Sequence, residues 1–335
     1  MTERVTIVGD GAMATVCSIL LSRGGHEVTM WGAFEESIDR LIQNRENARL
    51  LKGVRIPGSV RLTANDADCF DGATLILSAV PTQYMRSAWT RLRAYVPAGV
   101  PVVSVAKGIE NATLMRPTQI IADVLMPKVT SLAALSGPNI AMEIARYLPA
   151  TAVAASVDAE LARRTQAVFS TQWFRIYTNA DLIGTELAGA TKNVIAIAAG
   201  ILDGLAAGNN AKAALVTRGL VEITRLGLAM GATEATFHGL AGLGDLMTTC
   251  VSPEGRNRYV GEQVGRGRKL EDVLGGMEGV AEGVATTKSV MQLSTRFGVE
   301  MPITAAVHAI LFEGLDVLNA LSALMSRDPK PEGHG

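Results

Sequence analysis

Cysteine is scarce in this chain. Cys17, Cys69 and Cys250 are its three cysteines, and they lie far apart among 335 residues. An uneven set at these distances fits neither a disulfide framework nor a Cys-x-x-Cys metal site, so we expect no metal and a reducing, cytoplasmic setting. The formal net charge is -1, and no run of Lys and Arg exceeds two residues. The basic surface that a nucleic-acid partner requires is therefore missing.

Long apolar runs are also absent. The first run, Val5–Val8, ends at Gly9 and Asp10, and no later stretch reaches the length of a membrane span. Hydrophobic residues nevertheless make up 48% of the chain and charged residues 19%, which predicts a soluble globular protein. Gly-x-Ser-x-Gly and paired-histidine metal motifs are missing as well, so hydrolase and metalloenzyme functions have no residues to support them.

Short apolar strands alternate with helix-length segments in the first half of the chain, which predicts an α/β fold with a Rossmann-type doubly wound sheet. Helices are expected between the strands, at 12–21, 37–44 and 161–170, where apolar residues recur every three or four positions. We expect this dinucleotide-binding domain to span residues 1–180. The predicted strands are Val5–Val8, Val28–Trp31, Leu75–Val80, Val102–Val105, Leu132–Leu135, Ala152–Ala155 and Phe174–Tyr177.

The pattern changes after Asp181, where helical periodicity continues without a convincing strand. This predicts an all-α C-terminal domain over residues 181–326, expected to carry the substrate. The tail, 327–335, is rich in proline, glycine and charge, which predicts a flexible end. The predicted helices of the second domain are Ile183–Leu205, Ala211–Leu228, Thr287–Phe297 and Ala305–Phe312.

A glycine-rich turn, Gly9–Ala14, follows the first strand and opens the first helix. Gly9 permits the tight turn, and Gly11 lets the backbone approach a pyrophosphate. The free N–H groups of the helix that begins at Ala12 attract the anion. Ala14 stands where the third glycine of the motif usually lies, and its methyl group still permits close packing. The context of strand, turn and helix predicts a dinucleotide site.

The end of the second strand does not decide which dinucleotide binds there. The motif places an acidic residue about twenty positions after its glycines, to hold the adenosine ribose. Trp31-Gly32-Ala33 stands at that point. Glu35 and Glu36 follow, and no arginine is present to hold a 2′-phosphate. The choice between NAD and NADP stays open.

Seven short segments carry a resemblance to a known family. Individually they are common, but in this order and at these spacings they resemble the NAD(P)-dependent glycerol-3-phosphate dehydrogenases of the bacterial type. The resemblance runs from about Arg4 to Phe312. The segments are Val80–Gln83 (VPTQ), Ala106–Ile109 (AKGI), Ser136–Pro138 (SGP), Glu186–Asn193 (ELAGATKN), Gly239–Thr249 (GLAGLGDLMTT), Gly255–Asn257 (GRN) and Gly279–Gly283 (GVAEG).

The resemblance implies a reversible hydride transfer between NAD(P)H and dihydroxyacetone phosphate, giving sn-glycerol 3-phosphate for phospholipid synthesis. It implies a small-molecule substrate, NAD or NADP as cofactor, and a homodimer. Lys192 would give the proton to the carbonyl oxygen, with its pKa lowered by burial and by Lys107. Arg256 and Asn257 would hold the substrate phosphate.

The resemblance also assigns sets of site residues. The catalytic set is Lys192, Lys107 and Asp245. The substrate-binding set is Lys107, Gly137, Asn139, Lys192, Asp245, Thr249, Gly255, Arg256 and Asn257. The cofactor-binding set is Gly9, Gly11, Ala12, Met13, Ala14, Trp31, Pro81, Lys107, Ala141, Arg256, Val280 and Glu282.

Some of these residues depart from the family pattern. Gly255 stands where the family commonly has a serine, and Asn139 where it has Ser or Thr. Met13 and Ala14 replace an aromatic residue and a glycine of the first turn. Because the lysines, Asp245 and Arg256 are kept, we expect these changes to tune affinity or cofactor choice.

Other interpretations of the same residues stay open at this point. Lys192 and Arg256 could also be surface residues, Asp245 a helix N-cap, and Thr249 a residue whose hydroxyl bonds to its own helix. A β-hydroxyacid or phosphogluconate-type dehydrogenase would also join a Rossmann domain to helices that carry a lysine and an asparagine. A non-catalytic nicotinamide-binding redox sensor would keep the turn Gly9–Ala14 but would not need Lys192, Asp245 and Arg256 together.

Overall fold

A computed structural model describes residues 2–328; of the predicted flexible tail, residues 329–335 lie outside the described part. The chain divides into two compact units. The first, here called the sheet unit, comprises the residues up to Ala106 together with Arg116–Leu182. The second, the helical unit, comprises Lys107–Met115 together with the residues from Ile183 onward. The predicted division at 180/181 assigns Lys107–Met115 to the first domain, whereas in the structure this segment belongs with the helices.

The described residues of the sheet unit form one sheet of eight strands in the order β3-β2-β1-β4-β5-β6-β7-β8. The first six positions have the Rossmann order, which places the crevice for a dinucleotide beyond the carboxyl ends of β1 and β4. Neighbouring strands are parallel except for the antiparallel pair β6 and β7. The strands are β1 (Arg4–Val8), β2 (Glu27–Trp31), β3 (Arg61–Thr63), β4 (Leu75–Ser78), β5 (Val102–Ser104), β6 (Leu132–Ser136), β7 (Ala150–Ala155) and β8 (Phe174–Asn179).

Helices cover the sheet, and so its central strands are buried on both faces. All four residues of β4 are buried, as are all three of β5, which is why these strands read as continuous apolar runs. The ends of two helices are fixed by recognisable signals: Pro117 begins α4, and the side chain of Asp158 accepts bonds from two N–H groups of α6. The helices of this unit are α1 (Ala12–Arg23), α2 (Glu35–Asn44), α3 (Thr82–Leu92), α4 (Pro117–Leu125), α5 (Ala141–Ala145) and α6 (Ala159–Phe169).

The structure confirms the predicted fold class and adds features that the sequence pattern did not show. Strand β3 has three residues at the edge of the sheet, too few to show a period. The predicted strand Leu75–Val80 ends at Ser78, because the chain then turns toward the glycine loop and Ala79 N donates to Val8 O (2.8 Å). Helix α3 was not predicted, although its buried Met85, Trp89 and Leu92 are spaced as on one helical face.

The helical unit contains no strand among its described residues. The loop Lys107–Met115 packs with this unit, and Ser289 Oγ donates to the backbone oxygen of Ile109 (3.0 Å). The helices are α7 (Leu182–Gly204), α8 (Gly208–Ala229), α9 (Glu234–His238), a π-helical turn (Leu240–Gly244), α10 (Asp245–Val251), α11 (Arg256–Gly265), α12 (Leu270–Gly275), α13 (Glu282–Phe297), α14 (Pro302–Phe312) and α15 (Val317–Met325).

Helices α7 and α11 cross with their backbones in direct contact. A Cβ atom at Gly200 would lie 1.9 Å from Arg258 O, and one at Gly261 would lie 1.9 Å from Ile197 O. Real Cβ atoms do not approach oxygens so closely, so only glycine fits at these two positions. The two helices are therefore held at a fixed separation. We call this contact the glycine crossing. Among residues 2–328, no helix has both the length and the apolar character needed to cross a membrane.

Candidate active site

The turn after β1 is shaped by Gly9. Its φ of +123° lies in the region that L side chains rarely adopt, and a Cβ there would lie 2.7 Å from Ala79 O. Its N–H donates to Trp31 O (2.8 Å), which fixes the turn to the end of β2. Gly9 is thus required by the turn itself, as the motif predicts.

Gly11 differs from Gly9 because it faces open space. A Cβ built on Gly11 would meet no atom within 4 Å, and Gly11 is the N-cap of α1 without any side-chain cap. The first turn of α1, which includes Ala12, Met13 and Ala14, therefore presents N–H groups to this space. Uncapped N–H groups and the positive end of the helix dipole suit a phosphate group. The residues present fit a dinucleotide pyrophosphate.

The sheet unit also contains the predicted site residues Trp31, Pro81, Ala141 and Asn139. Trp31 is 1% exposed, and its Nε1 donates to Asp66 Oδ1 (3.0 Å), so its ring belongs to the core of the unit. Pro81 is the N-cap of α3, and Ala141 is the first residue of α5. Asn139 Nδ2 donates to Thr151 O (2.9 Å), so this amide secures β7.

Gly137 is a second glycine of the sheet unit that the backbone requires. Its φ is +134°, and a Cβ there would lie 3.0 Å from the Cα of Ala152. The chain can turn sharply after β6 only because no side chain is present. The predicted substrate contact at Gly137 is therefore a position with a structural reason for glycine.

A buried cluster of charges lies in the helical unit. The carboxylate of Asp245 bridges two lysines: Oδ1 accepts from Lys192 Nζ (2.6 Å), and Oδ2 accepts from Lys107 Nζ (2.7 Å). Lys192 Nζ also donates to Thr249 Oγ1. Lys192 is 5% exposed and Asp245 1%. These four residues come from α7, α10 and the Lys107–Met115 loop, and we call them the lysine cluster.

The environment of Lys192 changes its acidity. Burial is the largest cause and lowers the pKa of Lys192 to about 8; the charge of Asp245 opposes this shift, and the charge of Lys107 adds to it. A lysine with a pKa near neutrality exchanges protons readily at physiological pH. The cluster has two cationic side chains and one anionic side chain, which suits stabilisation of developing negative charge.

Neighbouring residues fix the lysine cluster in place. Asn193 Nδ2 donates to Lys107 O (2.9 Å), which ties the loop to α7. Asn257 Oδ1 accepts from Gly283 N (2.9 Å). A Cβ at Gly283 would lie 2.7 Å from Asn193 O and 2.8 Å from Asn257 Oδ1, so glycine lets α7, α11 and α13 converge here. Gly283 was not predicted as a site residue. The feature of the sequence that could have identified it is its place at the end of the GVAEG segment.

The GLAGLGD segment has a structural role of its own. It forms the π-helical turn that delivers Asp245, with Gly244 N donating to Gly239 O (3.1 Å). A Cβ at Gly242 would lie 2.0 Å from Phe237 O, which excludes any other residue. Turns of this kind are frequent at functional sites. The side chain of Asp245 caps no helix, since Gly244 holds the N-cap position of α10.

Helix α11 begins beside the cluster with an exposed Arg256. Among the described residues Arg256 makes no ion pair, while Asn257 is buried and keeps its Nδ2 donor beyond the bond to Gly283. Gly255 is the N-cap without a side-chain cap, and a Cβ there would lie 3.2 Å from Thr249 O. A guanidinium, an amide and uncapped helix N–H groups together suit a phosphate group.

The structure therefore brings together one part of the predicted site. Lys107, Lys192, Asp245 and Thr249 are in hydrogen-bond contact. Val280 and Glu282 lie at the start of α13. In the sheet unit, the glycine turn and the end of β2 are joined by the bond from Gly9 to Trp31. Within residues 2–328, no group of three or more His, Cys, Asp or Glu side chains is placed to hold a metal ion.

The fold and these features define the class of protein. A Rossmann sheet with a glycine turn, followed by helices that carry a buried lysine, is the architecture of a nicotinamide-dependent dehydrogenase. The model of the NAD-dependent glycerol-3-phosphate dehydrogenase N-terminus matches residues 4–162, and that of the C-terminus matches residues 181–322. The chain belongs to the NAD-dependent glycerol-3-phosphate dehydrogenase family, and the resemblance seen in the sequence is confirmed.

Individual relatives agree with this assignment. The chain is 46% identical over 329 residues to a glycerol-3-phosphate dehydrogenase [NAD(P)+] of Chlorobium limicola, covering 98% of this chain and 99% of that protein. The crystal structure of glycerol-3-phosphate dehydrogenase from Coxiella burnetii is 34% identical, with a TM-score of 0.93, and covers 97% of this chain and 99% of its own. The structure from Plasmodium falciparum is 25% identical with a TM-score of 0.86, covering 98% and 97%.

Proposed function

We propose that this chain catalyses reversible hydride transfer between NAD(P)H and dihydroxyacetone phosphate, forming sn-glycerol 3-phosphate. The observation that carries the proposal is the Asp245 carboxylate, which holds Lys192 and Lys107 through separate oxygens at 2.6 and 2.7 Å. A buried lysine held in this way is positioned as a proton donor. Membership of the family supplies the substrate and the cofactor.

Lys192 is the residue that we assign to proton transfer. Bound reduced nicotinamide supplies a hydride to C2 of the ketone. Lys192 Nζ donates its proton to the carbonyl oxygen, so that the ketone becomes a secondary alcohol; in the reverse direction the neutral amine accepts that proton. The pKa of about 8 lets both forms exist near neutral pH. Lys107 stabilises the developing oxyanion, and Asp245 orients both ammonium groups.

Arg256 and Asn257 are assigned to the substrate phosphate. Arg256 is exposed at the first residue of α11 and has a guanidinium ready for a bidentate contact. Asn257 lies next to it, anchored through Gly283, and so presents its amide N–H₂ in a fixed place. Thr249 Oγ1, which already accepts a hydrogen bond from Lys192 Nζ, is assigned to contact the hydroxyl group of the substrate. Gly137, Asn139 and Gly255 complete the proposed substrate contacts.

The cofactor contacts remain part of the proposal. The backbone of Gly11–Ala14 receives the pyrophosphate, for the reasons that apply to an uncapped helix N-terminus. Pro81 and Ala141 in the sheet unit, and Lys107, Arg256, Val280 and Glu282 in the helical unit, are assigned to the rest of the dinucleotide. The ring of Trp31 lies in the core at 1% exposure, so Trp31 is assigned only the support of the glycine turn through its backbone oxygen.

The test is the oxidation of NADH and NADPH, followed by absorbance, when purified protein meets dihydroxyacetone phosphate, unphosphorylated dihydroxyacetone, or a short 3-keto acid. Rapid oxidation is expected with the phosphorylated ketone only. Arg256→Ala should raise the KM for dihydroxyacetone phosphate by about 10- to 100-fold, because a charged hydrogen-bond pair is lost. At saturating coenzyme it should leave the poor rate with dihydroxyacetone unchanged. Arg268→Ala, which removes an exposed arginine bonded to Gln263, is the matched control.

The same assay separates the alternatives. A preference for the keto acid would support a β-hydroxyacid dehydrogenase, and cofactor binding without turnover of any substrate would support a redox sensor. Family membership and the presence of the lysine cluster favour glycerol-3-phosphate dehydrogenase over both.

A homodimer in the cytoplasm is also part of the proposal. The helical unit has an apolar groove of about 870 Å³, lined by residues of α7, α8, α14 and α15. On α15, Leu318 and Met325 are 60% and 78% exposed. Apolar exposure on this scale is typical of surfaces that contact another chain. Light scattering after size exclusion should give twice the mass of one chain, 35.2 kDa.

A further inference from the structure

The end of β2 lacks the acidic side chain that usually holds the adenosine ribose, and the structure shows what lies there instead. Gly32 follows β2, and a Cβ on it would lie 2.7 Å from Ile38 Cδ1 and 3.0 Å from Asp10 Oδ2. The carboxylate of Asp10 therefore borders the space that a side chain at residue 32 would enter. Asp10 belongs to the glycine turn, so a carboxylate reaches the end of β2 from β1.

Asp10 is held in this place by several bonds. Ser37 Oγ, in the first turn of α2, donates to Asp10 Oδ2 (2.6 Å), and Asn47 Nδ2 donates to Asp10 O (2.9 Å). The N–H of Gly9 is bonded to Trp31 O. Asp10 Oδ1 has no hydrogen-bond partner within residues 2–328, and Asp10 is half-buried. One oxygen of a fixed carboxylate is thus available to a ligand.

The nearby cation is already paired. The guanidinium of Arg91 donates to both oxygens of Asp66 (2.7 Å each) and to Ala33 O (2.8 Å), and it lies over the ring of Trp31. These contacts fix Arg91 in place and pair its charge with Asp66, while its side chain stays 43% exposed. Phe34 follows Ala33 and is 73% exposed. The exposed Glu35 and Glu36 come next and add negative charge.

We propose that Asp10 is the residue that determines coenzyme preference. Its Oδ1 accepts a hydrogen bond from the 2′-hydroxyl of the adenosine ribose of NAD, and its charge disfavours the 2′-phosphate of NADP. The proposal rests on the proposed function, because it concerns the coenzyme of that same site. It supplies, from the first glycine turn, the carboxylate that dinucleotide folds usually supply from the end of the second strand.

Equilibrium binding tests this inference without turnover. Dissociation constants are measured by titration calorimetry for NADH, NADPH and 2′-deoxy-NADH. The unchanged protein should bind NADH at least about tenfold more tightly than either analogue, since a hydrogen bond to a charged group is at stake. Tighter binding of NADPH, or equal binding of NADH and its 2′-deoxy form, would overturn the proposal without any variant.

Two variants sharpen the test. Asp10→Asn keeps an acceptor for Ser37 but removes the charge, so the ratio of NADPH to NADH affinity should rise by about tenfold or more. Ser37→Ala removes the partner of Asp10 while keeping its charge, and it should retain the preference for NADH. An unchanged ratio in a folded Asp10→Asn protein, or an equal change in Ser37→Ala, would contradict the assignment.

The failure of this inference is distinguishable from the failure of the proposed function. The same preparations are assayed with dihydroxyacetone phosphate. A protein that prefers NADH through Asp10 but does not reduce that ketone would refute the proposed reaction alone. A protein that reduces it with NADPH and NADH equally well, and binds both equally, would refute the role of Asp10 alone.

Discussion

The sheet unit and the helical unit of this dehydrogenase present their functional groups in different ways. In the sheet unit the groups that suit a pyrophosphate are backbone N–H groups of the turn at Gly9 and Gly11, which need only a particular chain path. In the helical unit the groups are the buried side chains of Lys192 and Asp245. Buried charges are costly without partners, so the helical unit must provide a complete set of contacts. Backbone sites therefore depend on local conformation, and buried charged sites depend on long-range packing.

Glycine shows the same contrast. A Cβ at Gly11 would meet nothing within 4 Å, whereas a Cβ at Gly261 would lie 1.9 Å from the backbone of α7. The first glycine leaves room for a ligand, and the second leaves room for another helix. Substitutions at the two positions should thus affect different properties, binding in one case and stability in the other.

The largest expected effect concerns the buried charges. Lys192→Met keeps the apolar stem but removes the proton donor, and kcat for the reduction of dihydroxyacetone phosphate should fall by about 10²- to 10⁴-fold. The affinity for coenzyme should stay unchanged. The control is Lys212→Met, which removes a lysine paired with Asp203 elsewhere in the same unit. If Lys192→Met were as fast as the unchanged protein, the lysine cluster would be structural. The contrast drawn between the functional groups of the two units would then not hold.

The glycine crossing gives the next largest effect. Gly261→Ala forces a Cβ into the backbone of α7 and should lower the free energy of unfolding by about 3 kcal/mol or more. Gly275→Ala, at the end of α12 where a Cβ meets nothing within 4 Å, should change it by no more than about 1 kcal/mol. Urea titration measures both. Equal stabilities for the two variants would show that α7 and α11 are not held by their contact.

The pH dependence of the rate sharpens the assignment of Lys192. Reduction of the ketone needs the protonated amine, whose pKa burial lowers to about 8. The kcat/KM for reduction should therefore be level below that pH and fall about tenfold per pH unit above it, while kcat/KM for alcohol oxidation should rise through the same range. Initial rates in both directions measure this. A limb near pH 8 that persists in Lys192→Met would have to be assigned to another group.

The smallest effect concerns the sheet unit. Gly11→Ala should raise the dissociation constant for NADH by about tenfold, because its methyl group enters the space of the pyrophosphate. The free energy of unfolding should fall by no more than about 1 kcal/mol, the cost of alanine at an N-cap. Gly58→Ala, in a loop where a Cβ also meets nothing within 4 Å, should change neither quantity. A large loss of stability in Gly11→Ala would remove the distinction between the two kinds of glycine.

The same distinction explains how much of the fold could be predicted from the sequence. Strands such as β4 and β5 are predicted from their composition because both of their faces are buried, and the turn at Gly9 is predicted because its chemistry is local. The antiparallel direction of β7 is invisible, since strand direction depends on the path of the connecting chain. Strand β3 has too few residues to show a period.

The same distinction between local and long-range features explains which parts of the site could be predicted. Family resemblance identified Lys192 and Asp245, which are 53 positions apart, but no local pattern predicts their direct contact. The contact depends on the π-helical turn and on the segment that carries Lys107, both of which are set by tertiary packing. Asp10 was overlooked for a different reason: it occupies a variable position of the glycine motif, and its relation to Gly32 appears only when β1 and β2 lie side by side.

The placement of Lys107–Met115 has a consequence for how this gene can be divided. The polypeptide leaves the sheet unit after Ala106, returns at Arg116, and leaves again after Leu182. A fragment that starts at Ile183 therefore carries Lys192 and Asp245 but not Lys107, and it lacks the partner of one carboxylate oxygen. Exchange of halves between relatives by recombination at one junction would join a lysine from one parent to an aspartate from the other. Each unit is compact in space, but no single cut in the polypeptide separates one unit from the other.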